Sequence, residues 1–167
     1  MDIMVVAPDE YADIARKLVH IISSKDDFSS AFWTIKKYKD NEQTIRGSQY
    51  VIFLGNEDQN ELTKDHLQVI KLEHDKGGVC YGYDGTKAVM FGTGKKLGFL
   101  EFLYSEIIMT NIISFVAPSP GSMVLRYLKQ KKDMEQLSKN QTELAVDLFM
   151  NRRFEEWVSP KNSDKLQ

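Results

Sequence analysis

The segment RGSQYVIFLGNE, residues 46–57, decides the fold that this chain is expected to adopt. Its centre, Tyr50–Leu54, is an uninterrupted apolar run rich in aromatic and β-branched residues. Polar or glycine pairs stand on either side of it, Gly47-Ser48 before and Gly55-Asn56 after. This pattern predicts a short strand that is buried on both faces of its sheet. Such strands belong to α/β domains, in which helices cover both faces of the sheet.

The residues before this strand predict a β-α-β arrangement. Ile3–Ala7 is a short apolar strand, and apolar residues at helical spacing follow it from Tyr11 to Ile22. Ala31–Tyr38 has the composition of a second strand, and the lysines near its end favour an edge position. Right-handed crossovers would place the first strand between the second and the third. The predicted order 2-1-3 is that of a flavodoxin-like or Rossmann-like, three-layer α/β sheet.

The middle of the chain predicts a helix and then a β-hairpin. A helix over Glu61–His74, which Gly77-Gly78 would terminate, is indicated by five residues at i, i+4, i+7, i+8 and i+11, namely Leu62, His66, Val69, Ile70 and Glu73. Two β-rich runs, 79–83 and 86–91, follow on either side of Asp84-Gly85. Asp-Gly is a preferred pair for a two-residue type I′ turn. The sheet is therefore expected to be mixed, with the hairpin as its last part.

The last third of the chain is expected to be helical. One apolar helix is predicted from about residue 98 to 116, followed by amphipathic stretches at 122–137 and 141–158. Ser138 and Gln141 have the spacing of a capping box between two helices, although a single long helix is the alternative. We expect one domain over residues 1–158, with the sheet in 1–97, the helical part in 98–158 and a flexible tail in 159–167.

The overall composition excludes several classes of function. The chain has 167 residues, 42% of them hydrophobic, and a net charge of −2, which gives no electrostatic footprint for nucleic acid. Cys80 is the only cysteine, so a cysteine-based metal site and an internal disulfide are excluded. The histidine spacings predict no metal site, and no cofactor can be named. Carboxylates within the apolar region 98–117 argue against a membrane helix, and a cytoplasmic location is expected.

An acidic loop after the central strand is the first candidate site. Ligands of open α/β sheets bind beyond the carboxyl ends of the strands, where Gly55 and Asn56 are expected to contact a ligand. Glu57, Asp58 and Glu61 are the catalytic candidates, because neighbouring carboxylates can divide the roles of acid and base. The alternative is a solvated, acidic helix start that the helix dipole favours.

A glycine-rich turn after the hairpin is the second candidate. Gly92, Thr93, Gly94 and Lys95 lie between a strand and a helix, where backbone N–H groups can hold a phosphate. The spacing fits neither a Walker A loop nor the dinucleotide fingerprint. The alternative is a glycine-rich strand exit with solvated lysines. The two candidate sites meet only if the second hairpin strand runs parallel to the central strand and next to it.

The strand order 2-1-3 and the acidic loop resemble, at the level of fold, TIR-type and nucleoside-deoxyribosyltransferase-type domains over roughly residues 1–95. The resemblance implies a glutamate near this loop that cleaves or transfers an N-glycosidic bond. We therefore expect a domain that binds a nucleotide-like or phosphorylated ligand at the carboxyl edge of its sheet. The alternative is a non-catalytic protein that forms a homo-oligomer, or binds a protein partner, through its C-terminal helices. Apolar residues such as Phe149, Phe154 and Trp157 suit such an interface.

Overall fold

One mixed sheet of six strands organises the protein, whose computed structural model describes residues 1–96, 98–109 and 134–159. The strands are β1 (Asp2–Ala7), β2 (Ser29–Thr34), β3 (Tyr50–Leu54), β4 (Leu72–Lys76), β5 (Val79–Asp84) and β6 (Lys87–Gly92). The α-helices in these ranges are α1 (Ala12–Ser23), α2 (Ile35–Asp40), α3 (Glu61–His66), α4 (Phe99–Met109), α5 (Met134–Arg152) and α6 (Phe154–Trp157). Single 3₁₀ turns occupy Asp9–Tyr11 and Glu42–Thr44.

The strand order is β2-β1-β3-β6-β5-β4, which confirms the predicted 2-1-3 beginning and the mixed sheet. β1 runs parallel to β2 and β3, and β6 runs parallel to β3. β5 is antiparallel to β6 and β4 is antiparallel to β5, at the end of the sheet opposite β2. All five residues of β3 are buried, as the apolar run predicts.

Helices cover both faces of the sheet. Along β3, Tyr50, Ile52 and Leu54 pack in the same apolar cluster as α1, α4, α5 and α6. Val51 and Phe53 belong to a second cluster, which contains residues of α2 and α3. Successive side chains of a strand point to opposite faces, so the two clusters are the two sides of one sheet. The predicted three-layer α/β architecture is confirmed.

Two of the predicted elements have different bounds in the structure. The helix predicted over Glu61–His74 ends at His66, and β4 begins within the remainder of that stretch, at Leu72, and continues to Lys76. In β4, Leu72 and His74 are half-buried whereas Glu73 and Asp75 are exposed. Alternation of half-buried and exposed residues is typical of a strand. The sequence analysis assigned these residues to a helix because of the weak helical spacing before them.

The strand predicted over Ala31–Tyr38 begins and ends earlier in the structure, where β2 occupies Ser29–Thr34. The Thr34 side chain accepts a hydrogen bond from the backbone N–H of Lys37 at 3.1 Å and begins α2. The predicted edge position of β2 is correct, but the lysines belong to the helix.

The hairpin is confirmed, but its turn lies one residue later than predicted. Asp84 pairs with Lys87, so the two loop residues are Gly85 and Thr86. Gly85 has a φ of 58°, and Thr86 does not have a positive φ. A type I′ turn needs positive φ at both central residues, whereas a type II′ turn needs glycine at the first. The type I′ prediction is therefore wrong.

The carboxyl-terminal helices form part of the core. α5 continues through Ser138 and Gln141, so the capping-box prediction is wrong and the single-helix alternative holds over Met134–Arg152. The buried apolar residues of α5 and α6 include Leu137, Leu144, Leu148, Phe149, Phe154 and Trp157. These side chains close one face of the sheet, and the expected assembly surface does not include them. Predictions for residues 110–133 and 160–167 lie outside the described residues.

Within the part of the chain that the structure describes, no helix has the length and apolar character that crossing a bilayer requires.

Candidate ligand-binding site

The two predicted loops are neighbours at the carboxyl edge of the sheet. The Gly55 backbone N–H donates to the carbonyl oxygen of Met90 at 3.1 Å. The Asn56 side-chain nitrogen donates to the carbonyl oxygen of Gly92 at 3.2 Å. Both contacts follow from the parallel pairing of β3 with β6, which brings the ends of the two strands to the same edge.

A cleft of about 540 Å³ opens at this edge. β1 lies between β2 and β3, so the connection that follows β1 turns to one side of it and the next connection crosses to the other side. The carboxyl end of β1 is therefore a topological switch point, where open α/β sheets bind ligands. Ligand pockets commonly have volumes of about 300–1,000 Å³. The residues that line the cleft are Glu10, Tyr11, Asp58, Gln59, Glu135, Gln136 and Lys139.

The β3 loop is held by hydrogen bonds from its own side chains. The Asn56 Oδ1 atom accepts from the backbone N–H groups of Asp58 and Gln59 at 3.0 and 3.1 Å. The fully buried Asn60 donates to the Leu54 carbonyl oxygen at 2.8 Å and begins α3. Asparagine favours such local turns because its amide can replace a backbone partner. The loop therefore fixes the position from which Asp58 and Gln59 enter the cleft.

Of the three predicted catalytic carboxylates, Asp58 is the one that lines the cleft. The Glu61 carboxylate forms an ion pair with Lys39 of α2 at 2.8 Å, which directs it towards the helices of the other face. Glu57 is exposed and does not contribute to the cleft lining. The cleft instead combines Asp58 with Glu10 and Glu135, two carboxylates that the sequence analysis did not single out.

The glycine-rich turn, residues 92–95, uses its backbone N–H groups within the protein. Gly92 N–H donates to Thr142 Oγ1 and Gly94 N–H donates to Gln141 Oε1, each at 2.8 Å. Thr93 N–H donates to the Gly78 carbonyl oxygen, and Lys95 N–H to the Thr93 hydroxyl. Side chains of α5 thus occupy the place at which a phosphate was expected.

The floor of the cleft contains a buried network around Tyr11. Its hydroxyl lies 2.9 Å from Gln59 Oε1 and 3.0 Å from Ser138 Oγ. Burial raises the pKa of the Tyr11 phenol, although hydrogen bonds with Ser138, Thr142 and Gln59 oppose the shift. The phenol therefore stays protonated at neutral pH and provides a neutral hydroxyl beside the carboxylates.

Two ion pairs join α1 to α5 beside the cleft. Lys139 Nζ lies 2.9 Å from a carboxylate oxygen of Asp13, and Lys17 Nζ lies 2.5 Å from one of Glu143. Burial acts to raise the pKa of Asp13, but the hydrogen bond and charge of Lys139 outweigh it and hold the pKa below its ordinary value. Among the described residues that line the cleft, Lys139 is the one cation and is paired with Asp13, so these residues carry an excess of negative charge.

Several of these residues escaped the sequence analysis. The rule that ligands bind beyond strand ends, applied to β1 as well as β3, would have singled out Glu10 and Tyr11. Ser138 was singled out only as half of a capping box, and no local pattern marks Lys139. The place of both residues depends on where α5 docks. In residues 1–96, 98–109 and 134–159, no group of three or more His, Cys, Asp or Glu side chains is arranged to hold a metal ion.

Comparisons of the chain with protein-family models, curated proteins and solved structures find no match. The function is therefore argued from the geometry and chemistry of the cleft itself.

Proposed function

We propose that the protein binds a nucleoside-like ligand, uncharged or cationic, in the cleft between β1, β3 and α5. The observation that carries the proposal is the convergence of Tyr11, Asp58 and Gln59 with the side chains of α5 at the topological switch point. Carboxylates and amides accept hydrogen bonds from the hydroxyl groups of a ribose, and amides can also pair with the edge of a base. The volume of about 540 Å³ suits a ligand of this size.

The same observations disfavour a phosphorylated ligand. The N–H groups of residues 92–95 already donate to protein acceptors, so they offer no ready anion site. The described part of the lining has three carboxylates, which repel a phosphate. The only lysine in that part, Lys139, is paired with Asp13. The phosphate expected from the sequence is therefore not part of the proposal.

A matched series of ligands tests this reading. Adenosine is neutral, 1-methyladenosine is a cation at neutral pH and AMP is an anion, while all three share the adenosine skeleton. In titration calorimetry at low salt, we expect 1-methyladenosine to bind about three- to tenfold more tightly than adenosine, and AMP to bind most weakly. Added salt should reduce these differences, because the carboxylates are exposed. Absence of binding by all three compounds contradicts the proposal.

Two neighbouring carboxylates provide a variant and its control. Asp58→Asn removes a charge from the cleft lining, whereas Glu57→Gln removes one from the adjacent, exposed position. We expect the first to weaken binding of 1-methyladenosine about three- to tenfold, and the second to leave it almost unchanged. Equal effects of the two substitutions would show that the ligand does not occupy this cleft.

Hydrolysis of an N-glycosidic bond is the reaction that we propose for this cleft. Water would add across the bond, leaving a hydroxyl on the sugar and the proton on the departing base. Asp58 is the predicted catalytic carboxylate that lines the cleft, so it would stabilise the positive charge that develops on the sugar. Chromatography of nucleosides incubated with the protein would detect the free base. Binding without base release, at high protein concentration and long incubation, would restrict the function to binding.

A further inference from the structure

We propose that Ser138 is a positioning residue, whose hydroxyl holds Tyr11 and Gln59 in the orientation that a ligand meets. The role of these two side chains in binding rests on the proposed function. Ser138 itself is 3% exposed and does not line the cleft, so it can act only through its neighbours.

Three separate segments of the chain contact the Ser138 hydroxyl. Its Oγ atom lies 3.0 Å from Tyr11 Oη in the loop after β1, and 3.3 Å from Gln59 Nε2 in the loop after β3. It also lies 3.1 Å from the Gly92 carbonyl oxygen at the end of β6 and 3.5 Å from Asn56 Nδ2. One side chain on α5 thus contacts the ends of all three strands that meet at the cleft edge.

The hydrogen bonds of Gln59 show which orientation Ser138 supports. Gln59 Oε1 accepts from the Tyr11 hydroxyl at 2.9 Å and from the Asn56 backbone N–H at 3.0 Å. With its oxygen engaged by these donors, the amide places Nε2 against Ser138, which serves as the acceptor. Only one of the two Nε2 protons is needed for this bond, so the amide retains a second donor. Without Ser138, nothing described in the network holds Nε2 in place.

The close fit of α5 against β6 makes this position rigid. A Cβ atom placed on Gly92 would lie 2.4 Å from Gln141 Cβ and 2.5 Å from the Ser138 carbonyl oxygen. Such distances are far below van der Waals contact, so glycine is required for the helix to approach this closely. The backbone position of Ser138 is therefore fixed by the packing of α5 against β6, which does not depend on the ligand.

Replacing Ser138 should have a local effect. In Ser138→Ala, the Gly92 carbonyl oxygen retains the hydrogen bond from Asn56, and the Gly92 N–H retains the one to Thr142. Alanine also suits a helix interior. We therefore expect the variant to fold, while the Gln59 amide and the Tyr11 hydroxyl lose a partner.

The first measurement requires no ligand. In nuclear magnetic resonance spectra, the Gln59 Nε2 proton that is hydrogen-bonded to Ser138 should exchange with water more slowly in the wild type than in Ser138→Ala. Ser138→Thr, which keeps the hydroxyl, should restore slow exchange. Thr63→Val is the control, since it removes another buried hydroxyl, one that has no hydrogen-bond partner among the described residues. Unchanged exchange in Ser138→Ala would overturn the proposal.

The second measurement links Ser138 to binding. Adenosine affinity should fall about three- to tenfold in Ser138→Ala, the effect expected for one lost hydrogen bond, and Ser138→Thr should recover it. In a double-mutant cycle with Tyr11→Phe and Gln59→Ala, the serine substitution should have little further effect. Fully additive effects would overturn the positioning role. If adenosine does not bind the wild type, the proposed function fails, and the exchange measurement still decides the role of Ser138.

Discussion

Trp157 donates its indole Nε1–H to the backbone carbonyl oxygen of Gly85 at 2.9 Å, which joins α6 to the turn of the β5–β6 hairpin. The ring is fully buried and packs edge-on against Tyr50 of β3 and Phe149 of α5, with centroid distances of 4.9 and 5.6 Å. A residue near the end of the described chain therefore contacts the central strand, the last hairpin and the longest helix described.

Substitutions of Trp157 should separate its hydrogen bond from its packing. Trp157→Phe keeps an aromatic ring but removes the donor, and we expect it to lower the free energy of unfolding by about 1–3 kcal/mol. Trp157→Ala also leaves a cavity and should cost about 3–5 kcal/mol. Urea denaturation followed by circular dichroism measures both. Equal losses for the two variants would show that the ring packing contributes little.

Deletion of residues 141–167 should unfold the protein. The deletion removes Leu144, Phe149, Phe154 and Trp157 from the core and exposes the face of the sheet that they cover. We expect an aggregating product without native circular dichroism. A folded, soluble monomer after this deletion would mean that the helices are dispensable to the core, as the assembly hypothesis required.

The structure also predicts a loss of stability in mild acid. His74 stacks on Tyr81 at 5.1 Å between ring centroids, and burial lowers the pKa of its imidazole. Glu106 acts to raise this pKa and Arg152 to lower it. The unfolded chain, with an ordinary histidine pKa of about 6.5, therefore takes up the proton first. The free energy of unfolding should therefore fall as the pH decreases through 6.5 towards the lower pKa that His74 has in the folded protein.

Denaturation at a series of pH values, in the wild type and in two variants, measures this effect. His74→Phe keeps a ring at the stacking position. It should reduce the pH dependence of the free energy of unfolding between about pH 7.5 and 5.5. His20→Gln, at an exposed position, should leave it intact. An unaltered pH dependence in His74→Phe would contradict the assignment to His74.

Cys80 should be unreactive in the folded protein. Its side chain is 1% exposed and its Sγ donates to Asp75 Oδ1 at 3.2 Å. Burial, together with the neighbouring Asp75 carboxylate, raises the pKa of the thiol far above its ordinary value. We expect a thiol reagent to modify the protein only as fast as it opens, and fully in denaturant. Rapid modification under native conditions would contradict the buried placement.

The fold was largely predictable from local sequence patterns. The apolar run Tyr50–Leu54 and the turn signals around it were sufficient to place a central strand, because burial on both faces leaves no polar alternation. β4 was missed because His74 and Lys76 are polar residues on a partly covered edge strand, where burial imposes little pattern. The hairpin turn was displaced by one residue, since Asp84-Gly85 and Gly85-Thr86 each satisfy a favoured turn type.

The candidate site was only partly predictable. Gly55, Asn56 and Asp58 follow a recognisable strand, so the edge rule located them. Gly92–Lys95 were expected at the same edge only if β6 ran parallel to β3 and next to it, which it does. Composition does not show whether a ligand or another part of the chain accepts hydrogen bonds from their N–H groups. That depends on the docking of α5, a long-range contact that no local spacing encodes.

The assembly of the cleft from residues 10–11, 58–59 and 135–139 has a consequence during translation. A nascent chain that ends before Ser138 contains all six strands, but it lacks most of α5, which forms one wall of the cleft and covers one face of the sheet. Contacts between such distant segments also form late, because closing a long loop is entropically unfavourable. The ability to bind the proposed ligand should therefore arise only after α5 has been synthesised, and products truncated before α5 should neither compete for that ligand nor be stabilised by it.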